Sequence, residues 1–167
     1  RLDGQGLMER IEGRIVTPDG IVRGRLVFGA EIEAIEPDDS VTAERLLVPG
    51  FVDLHVHGGG GVDVMEGAAA VRTMALFHAR HGTTTLLATT VTHERPALTA
   101  AFAGISDYMA APAADGAEVL GVHLEGPFIS AEALGAQPPF AIPPDLDLVA
   151  MLHDTAPIRV ATMAPEI

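Results

Sequence analysis

The sequence contains no cysteine and no tryptophan, and only 4% of its 167 residues are aromatic. Without cysteine the chain can form no disulfide, which fits a reducing compartment, so we expect a cytoplasmic protein. A core with few aromatic rings must be built from Ala, Val, Leu and Ile, as in a buried parallel sheet that helices cover. The composition therefore favours an α/β fold.

Basic residues are also scarce, since 10 Lys and Arg stand against 23 Asp and Glu and give a formal net charge of −13. An acidic protein is attracted neither to nucleic acid nor to an anionic membrane surface. The chain has no signal-peptide pattern and no apolar run long enough to span a bilayer. We therefore expect no nucleic-acid partner and no membrane. Because the chain opens with Arg and not with Met, we also expect a trimmed beginning.

Apolar residues are abundant, at 48% of the chain with a mean hydropathy of +0.30, which is ample for a core. Up to residue 48 the sequence reads as short strands that are broken at Pro18-Asp19-Gly20 and at Pro37-Asp38-Asp39. Asp19-Gly20 between two apolar runs predicts a hairpin. We therefore predict a small β module over residues 1–48 and a main domain over residues 49–167.

Strands and helices alternate in the main domain. A strand precedes the glycine run at 58–61, and further strands are predicted at 84–92, 119–125 and 158–163; the helices are predicted at 67–80, 95–109 and 145–153, and a long loop at 129–144. This alternation predicts βαβ units and a parallel sheet. About four strands are present, whereas a complete (β/α)8 barrel needs eight strands and roughly 250 residues. The prediction is a partial (β/α)8 barrel with an exposed edge.

Two histidines end the first strand of this domain, in the stretch PGFVDLHVHGGGG at 49–61. At a period of two, His55 and His57 leave the same face of the strand. The four glycines that follow let the backbone turn sharply. Neutral imidazole is the commonest metal ligand in proteins, so the pair suits a divalent metal. Two polar histidines bonded to their neighbours explain the same pattern, and the spacing alone leaves both interpretations open.

Glu125 ends another apolar strand, in VHLEGPF. A carboxylate there is costly unless it is paired, binds a metal or caps backbone amides. Together with His55 and His57 it offers the oxygen and nitrogen donors that zinc and similar divalent ions accept. His123 leaves the same strand face; direct ligation of the metal is one alternative for it, and contact with a ligand or the substrate is the one we expect. Asp53 precedes the histidines on their own face, where it either orients an imidazole or bonds the backbone.

Three segments carry a resemblance to a known family: PGFVDLHVHGGGGVDVM, HGTTTLLATTVT, and GVHLEGPFIS with GAQPP downstream. They resemble N-acetylglucosamine-6-phosphate deacetylases of the amidohydrolase superfamily. PGFxDxHxHG alone indicates only the superfamily, whereas HLEGPF with a Gly-Ala pair ten residues after Glu125 is far more specific. The similarity runs over residues 11–166 and matches the N-terminal part of such an enzyme.

The resemblance implies a (β/α)8 barrel with a small β-sandwich assembled from both chain ends, and a homodimer at full length. It implies hydrolysis of N-acetylglucosamine 6-phosphate to glucosamine 6-phosphate and acetate. Glu125 would be the principal metal ligand, and His55 and His57 would serve a second metal position. The divalent ion would be zinc, with iron, cobalt, manganese and nickel as alternatives. Ala136 and Gln137 would touch the amino-sugar phosphate.

The chain departs from the family pattern at two points. The family usually has His where this chain has Gln137, and a basic residue where it has Ala133-Leu134, although Gln can still donate a hydrogen bond. The resemblance also places two further metal histidines, the catalytic aspartate and the phosphate-binding residues beyond Ile167. No catalytic residue is therefore assigned within these 167 residues, and we expect them to be inactive on their own.

Two other functions compete with this interpretation. Another amidohydrolase, such as a cyclic amidase or a deaminase, is an alternative, but those enzymes often carry a carboxylated lysine and this chain offers no lysine at a strand end. A non-catalytic scaffold that binds a metal or a sugar is the second. Bound metal at His55, His57 and Glu125 without amide cleavage would favour the scaffold.

Overall fold

The computed structural model describes residues 8–167, so residues 1–7, the first part of the predicted module 1–48, lie outside the described residues. The chain divides into two compact units, Arg1–Pro49 and Gly50–Ile167. None of the described helices combines the length and the apolar character needed to cross a bilayer.

The first unit holds one four-stranded sheet in the order β3-β2-β1-β4. Its strands are β1 (Glu9–Thr17), β2 (Gly20–Phe28), β3 (Ile32–Pro37) and β4 (Leu46–Leu47). Thr17 pairs with Gly20 across the turn between β1 and β2, and Gly20 has φ of 135°, which a residue with a side chain rarely adopts. The hairpin predicted at Asp19-Gly20 is therefore confirmed. Within residues 8–49 this one sheet forms the small β module that precedes the main domain.

The second unit is built on a parallel sheet in the order β10-β9-β8-β5. Its elements are β5 (Phe51–Val56), a short hairpin of β6 (Gly58–Gly59) and β7 (Val62–Asp63), a 3-10 turn at Val64–Glu66, α1 (Ala68–Ala79), β8 (Thr83–Thr90), α2 (Arg95–Ala110), β9 (Glu118–Glu125), α3 (Leu146–Thr155) and β10 (Ile158–Thr162). The alternation predicted from the sequence is present, and the fold is a partial (β/α)8 barrel.

Local sequence accounts for the elements of this sheet and its helices. β8 is rich in β-branched residues, and all but two of its eight positions are buried. A proline stands in the first turn of α2, where its missing N–H costs no helical bond. Asp145 caps α3, since its carboxylate accepts a hydrogen bond from the Leu148 amide at 2.9 Å.

The core lies between the parallel sheet and the helices. It is formed by large apolar side chains of both layers, among them Met74, Leu86, Leu98, Phe102, Ile105, Val122, Leu124, Leu148 and Leu152. Residues that alternate with these along the strands leave the opposite face of the sheet. That opposite face carries His55, Thr89, His123 and Glu125. β5 is an edge strand of this sheet and exposes Phe51 at 62% and Leu54 at 55%, so the predicted exposed edge is present.

Candidate metal centre

The strand order brings the two sequence motifs together. β5 and β9 both pair with β8 in parallel, so their carboxyl ends flank the end of β8. The side chains of His55, His57 and Glu125 each offer one ligand atom, and these atoms all lie within 4.8 Å of one another. Nε2 of His57 is 3.0 Å from Oε2 of Glu125, and Nε2 of His55 is 3.5 Å from the same oxygen.

Glu125 is the most enclosed member of this cluster. Its side chain is 18% exposed, against 34% for His57 and 49% for His55. Although His57 approaches Oε2 at 3.0 Å, the approach lacks hydrogen-bond direction, and this buried oxygen has no hydrogen-bond partner among the described residues. A buried carboxylate oxygen without a partner is costly, and a cation at the point that the three atoms share would remove that cost. The donor set therefore fits a divalent ion.

The ring of His57 is held with a nitrogen lone pair toward the cluster. Its Nδ1 lies 3.0 Å from the carbonyl oxygen of Thr89. A carbonyl can only accept, so Nδ1 carries a proton, and a metal ion at the cluster would bind the lone pair that Nε2 has when the ring is neutral. Nε2 of His55 lies 3.1 Å from Nε2 of His57. Neutral rings would direct lone pairs at each other and at Glu125, which is favourable only when a proton or a metal ion lies among them.

His123 lies beside the cluster and contacts residues that hold it. Its Nδ1–H donates to the carbonyl oxygen of Leu54 at 3.0 Å, and its Nε2 accepts from the hydroxyl of Thr162 at 2.8 Å. The imidazole ring also packs edge-on against that of His55, with centroids 4.8 Å apart. Both ring nitrogens are thus occupied by protein groups. His123 therefore contacts the ring of His55, a candidate metal ligand, and has no free nitrogen with which to bind the metal itself.

Asp53 bonds the backbone and not an imidazole. Its Oδ1 accepts a hydrogen bond from the amide of His55 at 3.1 Å. One residue on, the amide of Val56 donates to the hydroxyl oxygen of Thr89 at 2.9 Å. The end of β5 is therefore held by side chains where regular pairing with β8 is interrupted.

The glycine run turns the chain sharply after His57. Gly60 and Gly61 have φ of 67° and 89°, a region that favours glycine. His78 on α1 donates from Nε2 to the carbonyl oxygen of Gly58 at 2.9 Å, and the Val64 amide donates to that of His57 at 2.8 Å. These bonds fix the backbone directly after the second histidine.

Two contributing residues were not predicted from the sequence: Thr162, which bonds His123, and His78, which bonds the glycine turn. Thr162 ends β10, and its place at a strand end was the available signal. His78 gave no signal, because its partner is a carbonyl group twenty positions away in the chain. The role of the Thr89 carbonyl also cannot be predicted from the sequence, since every residue has a carbonyl group.

The two residues expected to touch a sugar lie in the segment 126–145, which contains no helix or strand. Ala136 is exposed and Gln137 is half-buried. Oε1 of Gln137 accepts a hydrogen bond from the amide of Thr92 at 2.7 Å, directly beyond the end of β8. Neither residue is part of the His55–His57–Glu125 cluster.

The fold and the donor set together define a class, a (β/α)-barrel protein with a candidate metal centre at the carboxyl ends of its strands. The chain belongs to the amidohydrolase family, whose profile matches residues 46–161. That family is metal-dependent, in agreement with the candidate His-His-Glu site.

Individual relatives are amino-sugar-phosphate deacetylases. The chain is 40% identical over 147 residues to N-acetylglucosamine-6-phosphate deacetylase of Bacillus subtilis (strain 168), covering 83% of this chain and 35% of that protein. It is 40% identical over 164 residues to N-acetylgalactosamine-6-phosphate deacetylase of Escherichia coli O157:H7, covering 92% of this chain and 43% of that protein. The chain thus spans less than half the length of these curated relatives.

Solved structures give the same result. The crystal structure of N-acetylglucosamine-6-phosphate deacetylase from Thermotoga maritima superposes with a TM-score of 0.83 at 33% identity, covering 95% of this chain and 43% of that one. A Mycobacterium smegmatis deacetylase mutant in complex with N-acetyl-D-glucosamine-6-phosphate superposes with a TM-score of 0.80 at 28% identity, covering 96% of this chain and 44% of that one.

Proposed function

We propose that the full-length protein hydrolyses the acetamide of an N-acetylated amino-sugar phosphate. The reaction is N-acetylglucosamine 6-phosphate plus water to glucosamine 6-phosphate plus acetate. The names of the relatives support this class of substrate, and the candidate site supplies donors suited to amide hydrolysis. The observation that carries the proposal is the buried Oε2 of Glu125, which lies beside two imidazole nitrogens and has no hydrogen-bond partner within residues 8–167.

His55, His57 and Glu125 are the proposed metal ligands, with Glu125 the principal one. Two nitrogen donors and one carboxylate oxygen suit zinc; iron, cobalt, manganese or nickel accept the same donors. When bound, such an ion polarises an amide carbonyl and lowers the pKa of a water molecule. The group that moves the proton is proposed to lie beyond Ile167.

The remaining site residues orient these donors. Thr89 holds the His57 ring through its carbonyl, so the Nε2 lone pair faces the cluster. His123 fixes the carbonyl of Leu54, next to His55, and packs on the His55 ring. Asp53 fixes the His55 amide. Partners of this kind just outside a ligand set raise metal affinity by restricting the ligands to one geometry.

Ala136 and Gln137 are proposed to contact the sugar. Gln137 uses its carbonyl oxygen to bind the Thr92 amide, so its NH2 group is the end with which it can donate to a sugar oxygen. This contact is uncharged. We expect the sugar to be bound through hydroxyl groups at this point, and the phosphate elsewhere.

Assembly and location complete the proposal. A homodimer in the cytoplasm is proposed from the resemblance and from the absence of cysteine in the sequence. The mass of the full-length protein in solution, measured by light scattering, tests the dimer.

The activity test uses the full-length protein loaded with zinc. Release of acetate and of a free amine from N-acetylglucosamine 6-phosphate and from N-acetylgalactosamine 6-phosphate is measured side by side, because relatives of both names match the chain. Turnover of either sugar phosphate supports the proposal. Metal bound at the site without cleavage of any acetamide would overturn it in favour of a binding scaffold.

A further inference from the structure

The irregular segment 126–145 is attached to the end of β8 at two adjacent positions. Oε1 of Gln137 accepts from the amide of Thr92 at 2.7 Å. On the next residue, the ring of His93 stacks on that of Phe140, with centroids 4.6 Å apart and planes inclined by 19°. We call these four residues the β8 clasp.

The clasp closes a segment whose own ends are joined. The amide of Ile142 donates to the carbonyl oxygen of Pro127 at 2.9 Å, so the intervening residues form a closed loop. Within that loop the Gln137 amide donates to the Leu134 carbonyl at 3.0 Å, a turn that places the Gln137 side chain. Without attachment to β8, a loop of this length would sample many conformations at an entropic cost to any ligand it binds.

His93 is held in position for this contact. Its Nδ1 accepts from the amide of Glu94 at 2.9 Å, so the neutral ring carries its proton on Nε2. The ring plane is thereby set relative to the backbone, and one ring face meets Phe140. Near-parallel aromatic pairs at such separations are favourable beyond the area that they bury.

We propose that His93 is a positioning residue: by stacking on Phe140 it keeps Gln137 bonded to Thr92, and so keeps the Gln137 NH2 group at the carboxyl ends of the strands. The role of this NH2 group toward a sugar rests on the proposed function. The clasp itself does not, and the two are tested by different measurements.

Hydrogen exchange in the full-length protein tests the clasp directly. The reporters are the amides of Thr92 and Ile142. His93→Ala and Phe140→Ala should each accelerate their exchange by about 3- to 10-fold, the range that one aromatic pair supplies. His93→Phe keeps the stack while losing the bond to Glu94, and should exchange like the parent. Unchanged exchange in His93→Ala, or equally fast exchange in His93→Phe, would overturn the proposal.

The matched control is His81→Ala. His81 is an exposed histidine whose ring lies 4.5 Å from that of Phe77, outside the clasp. This variant should leave exchange at Thr92 and Ile142 unchanged. An equal acceleration in His81→Ala would mean that loss of any surface aromatic pair has the same effect, and would also overturn the proposal.

Kinetics then separate positioning from sugar contact. His93→Ala should raise KM for N-acetylglucosamine 6-phosphate by about 3- to 10-fold with kcat within about 2-fold, because only loop placement is lost. Gln137→Glu keeps an acceptor for Thr92 but lacks the NH2 donor, so it should keep parent exchange and raise KM; Gln137→Ala should change both. If the parent protein proves inactive, the proposed function fails while the exchange data still decide the clasp.

Discussion

The two units of the protein use their charged side chains in opposite ways. In the first unit, the guanidinium of Arg25 bonds Glu12 at 2.9 Å and Asp38 at 2.6 Å, and Arg23 pairs with Glu44 at 2.9 Å, all between partly or fully exposed side chains. In the second unit, an oxygen of Glu125 is buried beside two imidazoles and has no hydrogen-bond partner in the part of the chain that the structure describes.

The ionisation of the first unit reflects this pairing. Hydrogen bonds from Ser40 lower the pKa of Asp38, and the Arg25 guanidinium lowers it further. Arg23 likewise holds the pKa of Glu44 below its usual range. These charges are satisfied by the chain itself. The buried oxygen of Glu125 has no such partner among the described residues, and the proposed function gives it a bound metal ion.

The largest expected effect comes from removing the charge of Glu125. Glu125→Gln should abolish metal binding and lower kcat/KM of the full-length protein by at least about 10³-fold, because a bound ion supplies several kcal/mol of transition-state stabilisation. The Tm of the metal-free variant should equal or exceed that of the parent, since a costly buried charge is gone. Metal analysis, kinetics and thermal unfolding measure the three quantities.

Glu118→Gln is the matched control for this variant, because Glu118 begins the same strand at its exposed end. It should retain metal, activity and Tm. A lower metal-free Tm in Glu125→Gln would contradict the assignment and make Glu125 a structural residue like Asp38.

A smaller loss is expected for His57. The shorter side chain of His57→Asn cannot reach the point that the three ligand atoms share. Loss of a residue that only orients a ligand typically lowers metal affinity by roughly 10- to 100-fold, so loss of a ligand should lower it by at least that much. Titration with zinc against a competing chelator measures the affinity. The control is His81→Asn, because His81 is exposed, lies just beyond α1 and, among the side-chain hydrogen bonds of the described residues, contacts only the carbonyl oxygen of Phe77 through Nδ1. Parent affinity in His57→Asn would remove this histidine from the proposed ligand set.

His123 should matter less, because it acts through the backbone and the ring of its neighbours. His123→Phe keeps a ring against His55 but loses the bonds to Leu54 and Thr162, and zinc affinity should fall by about 10-fold. Thr162→Val removes one of the two bonds and should give a smaller decrease. If the same chelator titration shows no change in either variant, the polar contacts of His123 are structural only.

The smallest effect is expected in the first unit. The pKa of Asp38 is lower in the folded protein, so this group stabilises the fold at neutral pH and loses that contribution as the pH falls through its ordinary value of 3.8 and below. Asp38→Asn lacks this titration, so its Tm should fall less than that of the parent on acidification, while kcat/KM stays unchanged. A parallel fall of both Tm curves would show that Asp38 is not a source of acid sensitivity.

Much of the fold could be predicted because its strands and helices follow from patterns of neighbouring residues in the sequence. The apolar alternation before the glycine run predicts β5, and the β-branched stretch TTLLATTVT at 84–92 predicts β8, which is observed at Thr83–Thr90. The candidate donors were also predictable, since a period of two places His55 and His57 on one face. The sequence left two alternatives open for Asp53, and the structure shows the bond to the backbone. The bond between the His57 ring and the Thr89 carbonyl was not predictable, because a histidine pair at a strand end has the same sequence whether it binds a metal or its neighbours.

The sequence by itself determined which residue types stand at the ends of the strands and on which face, because both follow from local periodicity. Only the tertiary structure decided that β8 lies between β5 and β9, which brings Glu125 to the two histidines. The tertiary structure likewise decided that the Thr89 carbonyl accepts a hydrogen bond from the His57 ring and that the Thr92 amide donates one to the side-chain oxygen of Gln137. Such contacts join residues far apart in the chain, and they depend on strand order and register, which local pattern does not specify.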